Sequence, residues 1–248
     1  MLSLLVLDFG NTRLKAARFD GTNFVEEFNF PVSESETAIR ELIGKYMPEF
    51  TAAVSVKSGT KVQLQQILAD AGKQAPFIID AMTRLPFENA YQSKTTLGMD
   101  RVMGVAGALK LVGDGPLLVI DAGTALTFDF LDGNNIYRGG GISPGLSMRF
   151  RALHEFTDQL PLITADENPA LVGTDTASSI RSGVINGFDA EVSGIAERYM
   201  AHTQGRMKIV LTGGDAGFLR NRMEKSTFVS SNLLLHGIQS VFAFNHAE

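Results

Sequence analysis

The amino-acid sequence predicts an α/β protein built from two related lobes, and three observations carry that prediction. Apolar runs with strand character alternate with segments of helical period, the pattern of sheets covered by helices. The chain has 248 residues, a length that suits two lobes of roughly 100 to 150 residues each. One motif occurs twice: Leu4-Leu5-Val6-Leu7-Asp8-Phe9-Gly10-Asn11-Thr12 closes at Asp20-Gly21, and Leu117-Leu118-Val119-Ile120-Asp121-Ala122-Gly123-Thr124 closes at Asp132-Gly133, with one residue fewer in the second turn. An internal repeat of this kind marks a duplicated structural unit.

Each copy reads as a buried strand, a tight loop and a hairpin return before an Asp-Gly turn. Between the copies, Glu34 to Tyr46 and Val62 to Ala71 carry helical periodicity, with Ala38, Leu42 and Ile43 on one helix face and Leu64, Ile67 and Leu68 on the other helix's face. Ala52 to Val56 and Phe77 to Ile79 read as short strands, and Gly98 to Leu111 as a helix. Gly113-Asp114-Gly115-Pro116 supplies turn residues, so the lobe boundary is expected near Val112, dividing 1–112 from 113–248. In the second lobe Ser178 to Met200 is helical in pattern, Ile209 to Leu211 is a strand ending in Gly213-Gly214, and Leu233 to Phe244 closes the chain as an apolar helix.

Composition removes several function classes. Hydrophobic residues make up 44% and charged residues 20%, so the chain can bury a core and is not a disordered one. Its 22 Lys+Arg against 27 Asp+Glu give a net charge of -5, which supplies no basic field for a polyphosphate backbone; nucleic acid is not the expected main partner. The absence of Cys excludes disulfides, thiolate zinc sites and cysteine nucleophiles, and suits a reducing compartment such as the cytoplasm. Met1 to Leu7 is apolar but meets Asp8 too early for a signal-peptide core, and charged residues interrupt every candidate membrane span, so a soluble protein without a membrane partner is expected.

Asp-x-Gly directly after a buried strand has a definite chemical use. The turn exposes backbone N–H groups, glycine permits close approach, and the carboxylate can hold Mg²⁺ or another cation against phosphate oxygens. Asn11, Thr12 and Thr124 add side-chain donors. A single such turn is more often only a turn, but two at matching positions favour a phosphate site. Asp100, in Gly98-Met99-Asp100-Arg101, is the candidate proton acceptor; a helix N-terminal aspartate favoured by the helix dipole, with Arg101 in a surface ion pair, is the competing reading. Gly139 to Gly145 reads either as flexible backbone lining a cleft or as a helix-entry loop, and Gly213-Gly214-Asp215-Ala216 either as a place for adenine or ribose or as a plain strand-to-helix turn. No G-x-x-x-x-G-K-[ST], G-x-G-x-x-G or G-x-S-x-G occurs, and His154, His202, His236 and His246 lack metal-ligand spacing.

Taken in order, Asp8-Phe9-Gly10-Asn11-Thr12-Arg13-Leu14-Lys15, Gly98-Met99-Asp100-Arg101, Asp121-Ala122-Gly123-Thr124-Ala125, Gly140-Gly141-Ile142-Ser143-Pro144-Gly145 and Gly213-Gly214-Asp215-Ala216 closely resemble the type III pantothenate kinases. That resemblance implies the fold of acetate and sugar kinases, heat-shock 70 ATPases and actin: two ribonuclease-H-like lobes with a nucleotide cleft between them. It implies ATP-dependent phosphorylation of pantothenate, the entry to coenzyme A. Asp8 to Lys15 would form the first phosphate loop, with Asp8 near Mg²⁺ and Asn11 and Thr12 near phosphate; Thr124 would touch ATP. Asp121 would bind a monovalent cation, K⁺ or NH₄⁺, and Asp100 would accept the proton. Tyr91, Gly98, Met99, Asp100, Arg101 and Thr176 match the family's pantothenate contacts, in a pocket completed by the second subunit of a homodimer. Gly133 to Arg138 and Thr157 to Val172 carry no signature. An accessory transcriptional regulator, or a kinase of another small molecule on the same fold, are the alternatives.

Overall fold

The computed structural model describes residues 3–10, 12–55, 60–71, 73–165, 168–223 and 227–247. The chain divides into two compact units, Met1–Gly113 with Asn232–Glu248, and Asp114–Ser231.

In the first unit β1 (Ser3–Phe9), β2 (Arg13–Asp20) and β3 (Asn23–Pro31) form an antiparallel meander. β4 (Phe50–Ser55) and β5 (Phe77–Ile78) extend it in parallel beyond β1, giving the order β3-β2-β1-β4-β5. The sequence reading stops at the Asp-Gly turn, where Gly21 has φ 63, and does not include β3, whose side chains alternate between half-buried and exposed. α1 (Ser35–Tyr46), entered through a 3-10 turn at Val32–Glu34, and α2 (Thr60–Asp70) cover one sheet face. Ile39, Leu42 and Ile43 with Leu64, Ile67 and Leu68 pack there on Leu5, Leu7 and Phe9. Leu4 and Val6, on the opposite face of β1, are also buried. Burial on both faces explains why this strand reads as an unbroken apolar run. A two-residue strand, β6 (Glu88–Asn89), precedes α3 (Met99–Val112).

The second unit repeats this plan. β7 (Leu117–Ala122), β8 (Ala125–Leu131) and β9 (Ile136–Pro144) form the meander, and β10 (Lys208–Thr212) and β11 (Thr227–Val229) continue in parallel beyond β7, in the order β11-β10-β7-β8-β9. α4 (Leu146–Glu155) follows β9; α5 (Thr176–Arg181) runs through a π-helical turn at Ser182–Asn186 into α6 (Gly187–His202), where the periodicity had predicted one uninterrupted helix; α7 (Ala216–Arg220) follows β10. Phe150, Ile185, Phe188, Val192 and Leu219 from these helices pack on Leu118, Ile120, Leu126 and Phe128. The parity is the same in both units: Leu7 and Phe9, like Ile120 and Ala122, face the core beneath these helices, so Asp8 and Asp121 project from the other face.

Two sequence expectations change. Gly139 to Gly141 is not loop but part of β9. Gly139 has φ 91 beside a register shift in the β8–β9 pairing, and a Cβ on Gly140 would lie 1.7 Å from the Phe128 carbonyl oxygen, so close strand approach requires these glycines. The last helix, α8 (Leu233–His246), belongs to the first unit rather than to 113–248. It packs on β1 and along α3, where backbones touch: a Cβ on Gly107 would lie 2.1 Å from the Leu233 carbonyl oxygen, and one on Gly237 1.9 Å from that of Met103.

A polar clasp ties these helices to the β2–β3 turn. Lys110 Nζ donates to Gln239 Oε1, and Gln239 Nε2 donates to the Gly21 carbonyl at 3.0 Å. Burial lowers Lys110 to a pKa of about 8. His236, against Phe19 and Phe24, is lowered to about 4 by burial and then by Lys110, and its Nδ1 has no hydrogen-bond partner. The folded state therefore resists the proton that an unfolded His takes up near 6.5, and stability falls as pH drops from about 6.5 towards 4. His236→Phe is expected to flatten the midpoint of thermal unfolding between pH 6.5 and 5, a range above most carboxylate titration; an unchanged slope would assign it elsewhere.

Candidate functional site

In the first unit Asp8 lies near the end of β1, 9% exposed, paired across the strands with Lys15 and Val54. The turn that follows is closed by the Gly10 N–H donating to the Arg13 carbonyl at 3.0 Å, and Thr12 and Arg13 are exposed. Arg13 is held by Asn29 of β3 through Nε and Nη2. Phe9 and Leu14 put their side chains into the core, so only their backbone groups are left for a ligand. Asn11 lies outside the described residues.

Asp100 stands at the first turn of α3, whose following residues from Arg101 to Ala108 are buried. Its Oδ1 accepts the Arg101 N–H at 2.9 Å, and a Cβ on Gly98 would lie 2.4 Å from that oxygen. Gly98 is thus a steric requirement of the Asp100 conformation. Arg101 is buried, its guanidinium 5.8 Å from the centre of the Tyr91 ring, and the Tyr91 N–H is anchored on Asn89 Oδ1 at 3.0 Å. Tyr91, Gly98, Met99, Asp100 and Arg101 are partly or fully buried and flank the start of one helix, which combines a carboxylate with a sheltered cation. Arg101 is not at the surface, where the competing reading puts it, but is buried over an aromatic ring.

In the second unit the structure brings together three segments that the sequence separates. The Asp121 turn is closed by the Gly123 N–H on the Ala125 carbonyl (3.1 Å). The Gly145 N–H donates to the Thr124 carbonyl (3.1 Å), and the Asp215 N–H to the Ala122 carbonyl (2.9 Å). Gly213, with φ 93, leaves space that any side chain would fill: its Cβ would lie 2.4 Å from Asp121 Oδ1, and one on Gly123 would lie 3.3 Å from the same oxygen. Glycine therefore encloses the Asp121 carboxylate closely with backbone, a surrounding that suits a cation held by oxygen ligands. Burial raises the pKa of Asp215. Thr124 is exposed at the turn.

Thr176 opens α5 beside a capping box in which Asp175 Oδ1 accepts the Ser178 N–H at 2.9 Å and Ser178 Oγ accepts the Asp175 N–H at 3.0 Å. It lines a surface groove of about 1150 Å³ with Met148, Phe156, Leu160, Ile180 and Val184. The sequence reading did not single out Thr127, Asp129 and Tyr137, although polar residues alternating along an otherwise apolar β8 were the available signal. Among the described residues no group of three or more His, Cys, Asp or Glu could hold a metal ion, so a divalent ion at Asp8 would draw most of its ligands from phosphate and water. Among them, too, no helix is long and apolar enough to cross a membrane.

Two units whose own five strands follow the same order, each opening on a strand, an Asp-x-Gly turn and a hairpin, define the actin-like ATPase fold class. Glucokinase from an Antarctic psychrotroph shares the fold with a TM-score of 0.56 and 12% identity, covering 99% of each chain. A Baf family protein of Campylobacter jejuni, named as a transcriptional activator, superposes with a TM-score of 0.62 at 22% identity over 97% of this chain and 98% of that one. Residues 4–198 match the model of the type III pantothenate kinase family. A Flavobacterium johnsoniae protein carrying that name is 39% identical over 241 residues, 97% of this chain and 98% of its own length. This chain belongs to the type III pantothenate kinase family.

Proposed function

We propose that the chain transfers the γ-phosphoryl group of ATP to the primary hydroxyl of pantothenate, giving ADP and 4'-phosphopantothenate, the first step of coenzyme A synthesis, in the cytoplasm. The near full-length match to kinases of this name carries the reading. Asp100 accepts the hydroxyl proton as that oxygen attacks phosphorus. Pantothenate is an anion, and the buried Arg101 beside Tyr91 supplies the opposite charge at the acceptor subsite. Backbone N–H groups of the turn from Asp8 to Lys15 and the exposed Thr124 hydroxyl hold phosphate oxygens. Asp8 holds Mg²⁺ and Asp121 a monovalent cation; when bound, these ions offset the negative charge that gathers on the transferring phosphoryl group.

The acceptor is tested by a coupled assay over pantothenate, acetate and sugars: ADP release with pantothenate alone is expected, and turnover of a sugar or acetate with pantothenate inert would overturn the assignment. Retention of Asp8, Asp100 and Asp121 favours this enzyme over a regulator without activity. Replacing sodium by potassium or ammonium at fixed ionic strength is expected to raise the rate, and Asp121→Asn to remove most of that response; equal rates of the parent in both salts would leave Asp121 as a turn residue only.

The acceptor pocket is completed by a second subunit through the surface around Thr176. Phe156, Leu171 and Val172 there are 85%, 80% and 74% exposed, an apolar face that suits association of two copies. Sedimentation is expected to give a mass near two chains, and Phe156→Glu to lower it.

A further inference from the structure

Three side chains that the proposed reaction leaves unused lie on the Asp121 face of the second sheet. Asp121 of β7 is paired directly with Thr127 of β8, so their side chains leave the sheet on the same side, and Asp129 follows two residues along on that side. Asp129 is 1% exposed, and each of its carboxylate oxygens accepts from one hydroxyl: Oδ1 from Tyr137 at 2.7 Å, Oδ2 from Thr127 at 3.1 Å. Tyr137 is fully buried and fixed. A buried carboxylate is costly to a core, and this one is spent on orienting two hydroxyls.

The consequence lies in the single proton of Thr127. A hydroxyl has one donor and two lone pairs, and the proton of Thr127 is committed to Asp129. Towards Asp121 the oxygen can only accept, and the Asp121 carboxylate can only accept as well. A cation held at Asp121 therefore meets, on the paired strand, a hydroxyl oxygen whose lone pairs face it without a competing proton.

We propose that Thr127 Oγ is a ligand of the monovalent cation held at Asp121, and that Asp129, braced by Tyr137, is the positioning residue that keeps the Thr127 proton turned away from that ion. This rests on the reading that Asp121 binds such a cation. Loss of an orienting partner behind a metal ligand weakens ion affinity by about 10- to 100-fold.

The test is binding, read without turnover: thermal unfolding of the full-length protein in the absence of nucleotide, with potassium chloride titrated against tetramethylammonium chloride at constant ionic strength. The parent is expected to gain stability with a definite potassium midpoint, absent in Asp121→Asn. Thr127→Val, close in shape and half-buried, is expected to raise that midpoint at least about tenfold. Thr127→Ser, which restores the hydroxyl, should return it to within about twofold. Asp129→Asn, which puts an amide donor against one of the two hydroxyls, should raise it in the same way as Thr127→Val. A merely structural network would lower the unfolding temperature at every potassium concentration and leave the midpoint in place. If Asp129→Asn fails to fold, the Thr127 pair decides alone. An unchanged midpoint in folded Thr127→Val overturns the proposal while the Asp121 site stands; no potassium response in the parent overturns both.

Discussion

Asp100→Asn lowers turnover by about 10² to 10⁴, with the affinity for an ATP analogue within about twofold of the parent. The size of the effect follows from what is removed. An amide fills the same volume and its oxygen still accepts the Arg101 N–H that Oδ1 accepts now, so the start of α3 keeps its geometry. What disappears is a group able to take the hydroxyl proton as the acceptor oxygen attacks phosphorus. Positioning and charge stabilisation persist, which is why the residual rate is finite. Steady-state kinetics with a titration of the ATP analogue separates the two contributions. Near-full turnover would reduce Asp100 to a helix-start residue, and unfolding of the variant would point the same way. The neighbouring Arg101→Met gives the complementary pattern: it retains bulk but removes the buried cation, so the Michaelis constant for pantothenate rises far more than that for ATP.

Where local chemistry decided the structure, the sequence could be read. The two strand-turn-hairpin repeats, the helix from Met99 and the turn at Gly213 all follow from short-range patterns, namely apolar runs, Asp-Gly turns and glycines at positive φ. What the sequence hid depends on contacts far apart along the chain. Gly139 to Gly141 looks like loop because glycine is permissive, yet the carbonyl of Phe128 leaves no space for a side chain and makes the segment a strand. Gly213 could be seen as a turn residue, but not as the wall against which Asp121 Oδ1 rests. Thr127 and Asp129 sit in an apolar strand where polar residues look incidental until the register places Thr127 opposite Asp121. The apolar α8 had no directional signal at all: a helix of this composition packs wherever a partner is offered, and the partner is α3 of the first unit, more than 120 residues earlier in the chain.

That partnership gives a large stability effect to a single added methyl group. Gly107→Ala places a Cβ 2.1 Å from the Leu233 carbonyl oxygen and 3.1 Å from the Gly237 nitrogen, both backbone atoms, so no side chain can turn aside to make room. α3 and α8 must separate, and the buried residues between them lose their contacts along the seam. Overpacking typically costs about 1 to 3 kcal/mol, and a clash with backbone that cannot turn aside sits at the upper end, a large share of the stability of an ordinary domain. The same substitution at Gly44, exposed in α1 with nothing within 4 Å of the added Cβ, instead stabilises by about 0.5 to 1 kcal/mol, because alanine loses less backbone freedom on folding. Denaturant unfolding of the two variants is expected to move in opposite directions. Because α3 carries Asp100 and Arg101 at its first turn, folded Gly107→Ala recovered at low temperature should also lose turnover, whereas Gly44→Ala should keep it. A Gly107→Ala midpoint close to that of the parent would mean that α8 does not hold α3 through this contact, and would return the last helix to the unit from which its place in the chain suggests it came.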